Sequence, residues 1–291
     1  MARTAWIIIV IFVFSGLNAV QAGAEVKNIF KQNGRIYAEA LRCDDIELPG
    51  TDQTDADAPG KCTRDITDAL PAFIVEHAGT SSVYDGPNCW QSAMSAAGLA
   101  NPEPMYMSSS EVEYVAELGG FCTEVKKPRP FDIIYIYYPK DRPLEGLRAT
   151  HAFTYLGNGW SFSKDGYKSH VLWKLERVED VTVQYMNGRE KQEIKYLRCK
   201  EAPLSGERAK QLMARLDALA ARLSPMIMKG TQVMAKYELQ KLEDDLWKLY
   251  KSLKGRFGND RSMNRVFYRV KSHISQLGYL IHPKWGLPDG Y

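Results

Sequence analysis

The sequence predicts an α+β fold, because helical patterns and strand patterns occupy separate stretches of the chain. Two short helical stretches precede β-branched and aromatic segments at 131–138, 149–156 and 160–164, which predict an antiparallel sheet. From Leu212 onward leucines recur every three or four residues, which predicts a helical C-terminal region. The composition, 45% hydrophobic and 25% charged, is typical of a soluble globular protein.

Local patterns predict further elements outside this sheet. Apolar residues recur with helical spacing over 28–42, and Ser110 opens a capping-box sequence that Glu113 completes, so a helix is predicted at each. A second β-hairpin is predicted over 181–198, with an Asn-Gly turn. The C-terminal leucine stripes predict a helical hairpin or three helices, whose apolar side is buried in the body of the protein or in a partner.

The first residues have the pattern of a signal peptide. Arg3 precedes an apolar run from Trp6 to Leu17, and Ala22 ends a small-residue cleavage sequence. The run is shorter than the roughly 20 residues that a membrane span needs. We therefore predict a cleaved signal peptide over residues 1–22, export to the periplasm or the medium, and no stable membrane insertion afterwards. An uncleaved N-terminal anchor is the alternative.

The mature chain is predicted to divide into an N-terminal region (23–83), a core (84–204) and a helical C-terminal region (205–291). Charge sets the last boundary, because the residues from Ser205 onward contain 16 Lys and Arg against 8 Asp and Glu, whereas the whole chain has a net charge of +3. The basic surplus fits either an anionic polymer such as cell-wall material or a solvated helix face. No nucleic-acid partner is predicted.

The cysteines predict two disulfides and one free thiol. An exported chain forms disulfides, and an odd number of cysteines leaves one unpaired. Cys43 and Cys62 flank a loop rich in Asp, Gly and Pro, while Cys122 begins one strand-like segment and Cys199 ends another. Pairing within these two sets leaves Cys89 free. Neither a CxxC nor an HExxH motif occurs, so no metal and no cofactor are predicted.

Cys89 is the candidate nucleophile. A Gly-Pro turn delivers it to the first turn of a short Ala-rich helix that Gly98 ends. Backbone N–H groups at a helix start favour a thiolate over a thiol. The alternative is a buried cysteine that packs as a small apolar residue.

His151 is the candidate base. Of the five histidines it is the one that opens an apolar strand, where a rigid scaffold can fix the ring. Thiol catalysis needs such a base within about 3 Å of the sulfur, oriented by a third group. The alternative is a hydrogen-bonded structural histidine.

Three motifs, in this order, resemble the NlpC-type cell-wall peptidases, which belong to the papain-like cysteine hydrolases. They are Asn88-Cys89-Trp90, the strand Pro130-Phe131-Asp132-Ile133-Ile134, and the strand from His151 to Leu156 followed by Gly157-Asn158-Gly159. The resemblance extends over residues 84–167 and implies a papain-like core, in which the nucleophile helix packs on an antiparallel sheet. The family usually has Asp-Cys-Ser-Gly at the nucleophile, so the resemblance implies a divergent relative.

The resemblance also implies a third catalytic residue on the strand after the turn. That position falls near Ser163, with Lys164 or Asp165 as alternatives. Serine can orient His151 by a hydrogen bond but stabilises an imidazolium less than a carboxylate does, and a nearby lysine disfavours that charge.

The predicted function is that of an exported cysteine hydrolase that cleaves an amide or peptide bond. Cys89 attacks the carbonyl, and His151 protonates the departing amine and then activates water. The backbone N–H of Cys89 holds the oxyanion, with Tyr84 or Asn88 as further contributors. The resemblance implies a substrate in peptidoglycan stem peptides. The alternatives are an amidase or acyltransferase with a non-murein substrate, and a non-catalytic envelope protein that retains the fold.

Overall fold

The computed structural model describes residues 26–46, 62–139, 149–187, 192–255, 259–285 and 287. Within these ranges helices and antiparallel strands are mixed, which confirms the predicted α+β class. The signal peptide predicted over residues 1–22 lies outside the described residues. In the described part of the chain, no helix is long and apolar enough to cross a membrane.

The N-terminal region contains a small antiparallel sheet. Its strands are β1 (Val26–Gln32), β2 (Arg35–Ala40) and β3 (Cys62–Asp65). The helix predicted over 28–42 is therefore wrong. Asn33 and Gly34 both adopt positive φ, and such a pair closes a tight hairpin whose twist matches that of the flanking strands. Alternate residues of β2 are buried, so the apolar spacing belongs to two strands and not to one helix face.

The central sheet has six antiparallel strands. They are β4 (Cys122–Val125), β5 (Ile133–Tyr137), β6 (Ala149–Gly157), β7 (Trp160–Lys164), β8 (Trp173–Arg177) and β9 (Glu193–Cys199). Their spatial order is β4-β9-β5-β6-β7-β8. The three predicted strand segments are β5, β6 and β7, and Gly157, Asn158 and Gly159 turn the chain between the last two with positive φ. The pairing of β6 with β7 begins at that turn and extends to Thr154 opposite Phe162.

Seven α-helices lie in the described part of the chain. They are α1 (Ala72–His77), α2 (Cys89–Ala96), α3 (Ser109–Glu113), α4 (Val178–Met186), α5 (Glu207–Lys229), α6 (Lys236–Leu253) and α7 (Arg261–Ile281). Helix α2 packs on β6 and β7, and α4 packs on β6 and β8. On the α2 side Cys89 and Ala152 share an apolar cluster. On the α4 side Phe153 clusters with Val181, so consecutive residues of β6 serve opposite faces.

The hairpin predicted over 181–198 is wrong in its first half. Residues 178–186 form α4, and only the second half is a strand, β9, which lies between β4 and β5. Glu179 and Asp180 lie in the first turn of α4, where acidic side chains favour a helix start. Burial of Val181 against the sheet then outweighs the preference of its β-branched neighbours for a strand.

The helix predicted from the capping box is present, but it begins two residues earlier. The hydroxyl of Ser108 accepts the N–H of Glu111 at 3.4 Å, so Ser108 and not Ser110 is the N-cap. The hydroxyl of Ser110 instead accepts a hydrogen bond from the Lys271 ammonium at 2.5 Å. Helix α3 continues through a π-helical turn and ends at Gly119.

The C-terminal region forms three helices, which confirms that prediction. Their apolar sides pack together and against Met105, so the leucine stripes are buried within the protein. Helix α7 also holds the loops next to α2. The side-chain amide of Gln276 accepts the N–H of Tyr106 at 3.0 Å and donates to the carbonyl of Asp85 at 3.1 Å. The C-terminal helices therefore position the segment that leads to Cys89.

Candidate active site

The disulfide pattern agrees with the sequence. Cys43 is bonded to Cys62, and Cys122 is bonded to Cys199, its register partner in the ladder between β4 and β9. Cys89 is the free cysteine of the described residues and is buried. Both predicted pairings and the predicted free thiol are confirmed.

Cys89 is the first residue of α2, and Asn88 caps that helix. The side-chain oxygen of Asn88 accepts a hydrogen bond from the backbone N–H of Gln91 at 3.0 Å, and its side-chain nitrogen donates to the backbone carbonyl of Met107 at 2.8 Å. Both polar atoms of this buried side chain are thus used to fix the start of the helix. The oxyanion role of Asn88 remains a prediction.

Tyr84, the other oxyanion candidate, lies in the loop before α2. Its side chain is exposed, and its backbone N–H donates to the carbonyl of Ile227 at 3.0 Å. That bond connects the loop to the end of α5. The structure therefore assigns Tyr84 a backbone contact, and its oxyanion role remains a prediction.

The sulfur of Cys89 lies where the pairing between β6 and β7 has ended. The backbone N–H of Ala152, two residues beyond the last paired residue of β6, hydrogen-bonds to the sulfur, as does the N–H of Trp90. Burial nevertheless raises the pKa of Cys89 to about 12, against the lowering effect of these N–H groups and of Lys164. The resting site therefore holds a thiol.

His151 faces the opposite side of the sheet. Its ring stacks on the ring of Tyr185 from α4, with centroids 3.6 Å apart and an interplanar angle of 10°. Neither ring nitrogen has a hydrogen-bond partner among the described residues. Burial lowers the pKa of His151 to about 3, against the opposing charge of Asp165, so the ring is neutral. The structure therefore does not join His151 to Cys89 by a hydrogen bond.

Ser163 does not bond to His151. Its hydroxyl donates to the carboxylate of Glu176 on the neighbouring strand. Asp165 is the acid whose charge acts on His151, and it also accepts hydrogen bonds from Lys174 at 2.5 Å and from Tyr185 at 3.2 Å. Of the three alternatives for a third residue, Asp165 is the one whose charge acts on the ring, although no hydrogen bond joins the two side chains.

Lys164 is the residue that sequence reasoning undervalued. Its side chain is fully buried, and its ammonium donates to the carbonyls of Lys168 at 2.9 Å and Gly166 at 3.4 Å. It also lies 5.3 Å from the centroid of the Trp173 ring. Burial lowers the pKa of Lys164 to about 8, and the nearby acidic groups, among them Asp85 and Asp165, act in the opposite direction.

The strand pattern contained the signal for this placement. Trp160, Phe162 and Lys164 alternate along β7, so they belong to one face of the sheet. Phe162 and Trp160 pack in the cluster that includes Ala96 of α2. A lysine in register with them is directed towards the same helix, on the side where Cys89 lies.

No metal site accompanies these residues. In the described ranges, no group of three or more His, Cys, Asp or Glu side chains is arranged to hold a metal ion. The candidate site has a thiol, a buried amine and backbone N–H groups on one face of the sheet, and an imidazole, a phenol and a carboxylate near the other.

Comparison of the chain with protein-family models, with curated proteins and with solved structures finds no match.

Proposed function

We propose that the protein is an exported cysteine hydrolase that cleaves an amide or peptide bond through Cys89. The observation that carries the proposal is the placement of its free thiol. Cys89 begins a helix, its sulfur receives two backbone N–H groups, and the charge of the buried Lys164 of β7 acts on it. Each of these features favours negative charge on the sulfur, which a nucleophile needs and a structural thiol does not.

The central sheet and α2 are proposed to form a divergent papain-like core. In support, a helix that begins with a cysteine packs on an antiparallel sheet, and the sequence motifs that resemble the NlpC-type peptidases lie at the start of this helix, at the start of β5 and along β6. That resemblance implies peptidoglycan stem peptides as the substrate, and an exported protein meets this polymer. An amidase or acyltransferase with a non-murein substrate would use the same Cys89 chemistry.

The reaction begins when the Cys89 sulfur attacks the substrate carbonyl carbon. The amine leaves with a proton, and water releases the acyl group from the sulfur. The N–H of Cys89 and a donor from the preceding loop hold the oxyanion. His151 is proposed to serve the proton transfers, with Asp165 as the group that orients it, since the charge of Asp165 acts on the ring.

A non-catalytic envelope protein that retains the fold is the second candidate. One observation favours it: Cys89 lies on the α2 side of β6, whereas His151 is directed to α4 on the other side. Neither nitrogen of the ring hydrogen-bonds to the sulfur. In that case the buried thiol is a packing residue.

Mass spectrometry of purified peptidoglycan after incubation with the mature protein separates the two candidates. We expect release of stem-peptide fragments by the wild-type protein and at least a hundredfold slower release by Cys89→Ala. Met94→Leu, a volume-conserving change in the same helix, is the matched control and retains activity. Equal release by Cys89→Ala and wild type, or release by neither, would contradict the proposal for this substrate.

A further inference from the structure

We infer that Tyr185 is the positioning residue of the candidate base: its ring fixes the plane of the His151 imidazole by stacking. The inference deepens the proposed function and rests on it for its catalytic meaning. It starts from an unusual feature of His151, which is fully buried although neither nitrogen of its ring has a hydrogen-bond partner among the described residues. Buried polar groups are nearly always hydrogen-bonded, so a different contact must hold this ring.

The ring of Tyr185 covers one face of the imidazole. The two ring centroids lie 3.6 Å apart, and the interplanar angle is 10°. This separation is shorter than the roughly 4.5–7 Å of most aromatic pairs, so the two rings overlap face to face. Phe153 of the same strand is a second ring neighbour, with its centroid 5.6 Å from that of His151. A tilt of the imidazole would drive it into Tyr185, and the stack therefore fixes its plane.

Two sets of contacts hold Tyr185 itself in place. It lies in the last turn of α4, one turn beyond Val181, and packs against the apolar cluster that contains Val181 and Ile136. Its hydroxyl donates to Oδ1 of Asp165 at 3.2 Å, while Oδ2 of Asp165 accepts a hydrogen bond from the Lys174 ammonium at 2.5 Å. The phenol thus contacts the imidazole with its face and the carboxylate with its hydroxyl.

Charge and geometry come from different side chains at this site. Asp165 acts on His151 by its charge, which favours the protonated ring, and Lys174 opposes it. Glu176 is the next acid, with its carboxylate 4.0 Å from the Lys174 ammonium. Burial raises the pKa of Tyr185, so the phenol is uncharged at neutral pH. Tyr185 therefore fixes the ring without adding to the charge around it.

The stack also keeps water away from the imidazole. Burial lowers the pKa of His151 to about 3, and full burial moves the pKa of such a group by up to about 3–5 units. Loss of the Tyr185 ring admits water to that face. We therefore expect the midpoint of His151 protonation to rise by at least about one unit when the ring is removed.

The test follows His151 by NMR in the whole mature protein. The Cε1–H resonance of His151 is assigned by its absence from His151→Gln and is recorded from pH 4 to pH 8. In the wild type it should lie upfield of the other histidines, because it is held over the face of the Tyr185 ring. Tyr185→Leu is expected to abolish the upfield shift and to raise the midpoint, and Tyr185→Met replaces it if the Leu variant does not fold. Tyr185→Phe, which keeps the ring, should retain the upfield shift.

Two further variants separate positioning from charge and from general destabilisation. Asp165→Asn removes the charge but keeps an acceptor for the Tyr185 hydroxyl, so it should lower the midpoint and leave the upfield shift in place. Tyr250→Leu is the matched control, because it removes a ring that stacks on Phe267, with centroids 4.8 Å apart, among the C-terminal helices. It should leave both the shift and the midpoint of His151 unchanged.

An upfield shift that persists in Tyr185→Leu would overturn the inference, as would its loss in Asp165→Asn. The same variants also test the catalytic meaning, since the acid limb of the rate profile on peptidoglycan should move with the NMR midpoint in Tyr185→Leu. The resonance is observed without substrate. Loss of the upfield shift in Tyr185→Leu, together with no peptidoglycan cleavage by the wild type, would thus uphold the positioning of His151 and contradict the proposed function for this substrate.

Discussion

Replacement of Arg269 by methionine is expected to be the most destabilising single change at the junction of α7 and α3. The Arg269 guanidinium donates to the Glu111 carboxylate at 2.5 Å, and both side chains are buried, at 8% and 1% exposure. The second oxygen of Glu111 accepts the Ser272 hydroxyl at 2.6 Å. Removal of the arginine leaves a buried carboxylate whose remaining hydrogen-bond partner, among the described residues, is the Ser272 hydroxyl. Asp217, the other acid near Arg269, is half-exposed and needs no such partner.

Loss of one partner of a buried ion pair costs about 3–5 kcal/mol. Urea unfolding, monitored by fluorescence and circular dichroism, measures this cost. With a denaturant dependence of about 2 kcal/mol/M, the unfolding midpoint of Arg269→Met should fall by about 1.5–2.5 M. The double variant Glu111→Leu/Arg269→Met should regain most of that loss, because no charge is left buried and unpaired.

The matched control is Lys248→Met, in an exposed pair with Asp245 at 3.1 Å. Solvent screens such a pair, so its loss is worth less than about 1 kcal/mol. A change below about 1 kcal/mol in Arg269→Met would refute the reasoning, as would a double variant no more stable than the single one. Either result would mean that water reaches Glu111 in the folded protein.

Two further predictions concern His151 and the loop that leads to Cys89. The pKa of His151 is lowered to about 3 in the folded protein, so below about pH 6.5 the unfolded chain binds a proton that the folded chain does not. The contribution of His151 to the free energy of unfolding is therefore complete above about pH 6.5, and the free energy of unfolding should fall by about 2 kcal/mol at pH 5. His151→Gln should lose this part of the pH dependence, and equal urea midpoints against pH in both proteins would contradict it. A Cβ at Gly86 would overlap the Gln276 side-chain amide, so Gly86→Ala should lower the free energy of unfolding by about 1–3 kcal/mol. Gly278→Ala, at a helical glycine with room for a Cβ, should be neutral or stabilising, and equal melting of the two variants would contradict the clash.

Local signals predicted the elements that local forces determine. The β-branched run of β5 and the Gly-Asn-Gly turn between β6 and β7 each specify their conformation within a few residues. The cysteine count likewise identified Cys89 as unpaired, because the spacing of the other four already suggested two pairs. These predictions needed no knowledge of the rest of the chain.

Elements decided by tertiary packing were not predictable in the same way. The 178–186 segment has strand-like residues, and its helix exists because Val181 and Tyr185 bury one side against the sheet. Over 28–42 the apolar spacing fits a helix and a hairpin alike, and the positive φ of Asn33 decides between them. A pattern of apolar residues cannot separate such alternatives until the surface that they pack against is known.

The candidate site shows the same limit at the scale of one residue. Side chains alternate along a strand, so a shift of one position moves a residue to the other face of the sheet. His151 and Ala152 differ by that single step, and it is Ala152 that meets the sulfur, through its N–H. The sequence places a histidine near Cys89 along the fold, but the face is set by Phe153, whose burial among Ile134, Ile136 and Val181 turns residue 151 towards α4.

The ladder between β6 and β7 ends next to the Cys89 sulfur. Because pairing extends only to Thr154, the N–H of Ala152 is left for the sulfur. Strand β7 stays paired with β8 as far as Lys164, and alternation along the chain places Lys164 and Asp165 on opposite faces. A continuous ladder would have consumed that N–H in the sheet. The same interruption therefore supplies a hydrogen-bond donor to Cys89. Continued pairing here would have removed this donor from the sulfur, so the short ladder is best understood as part of the site.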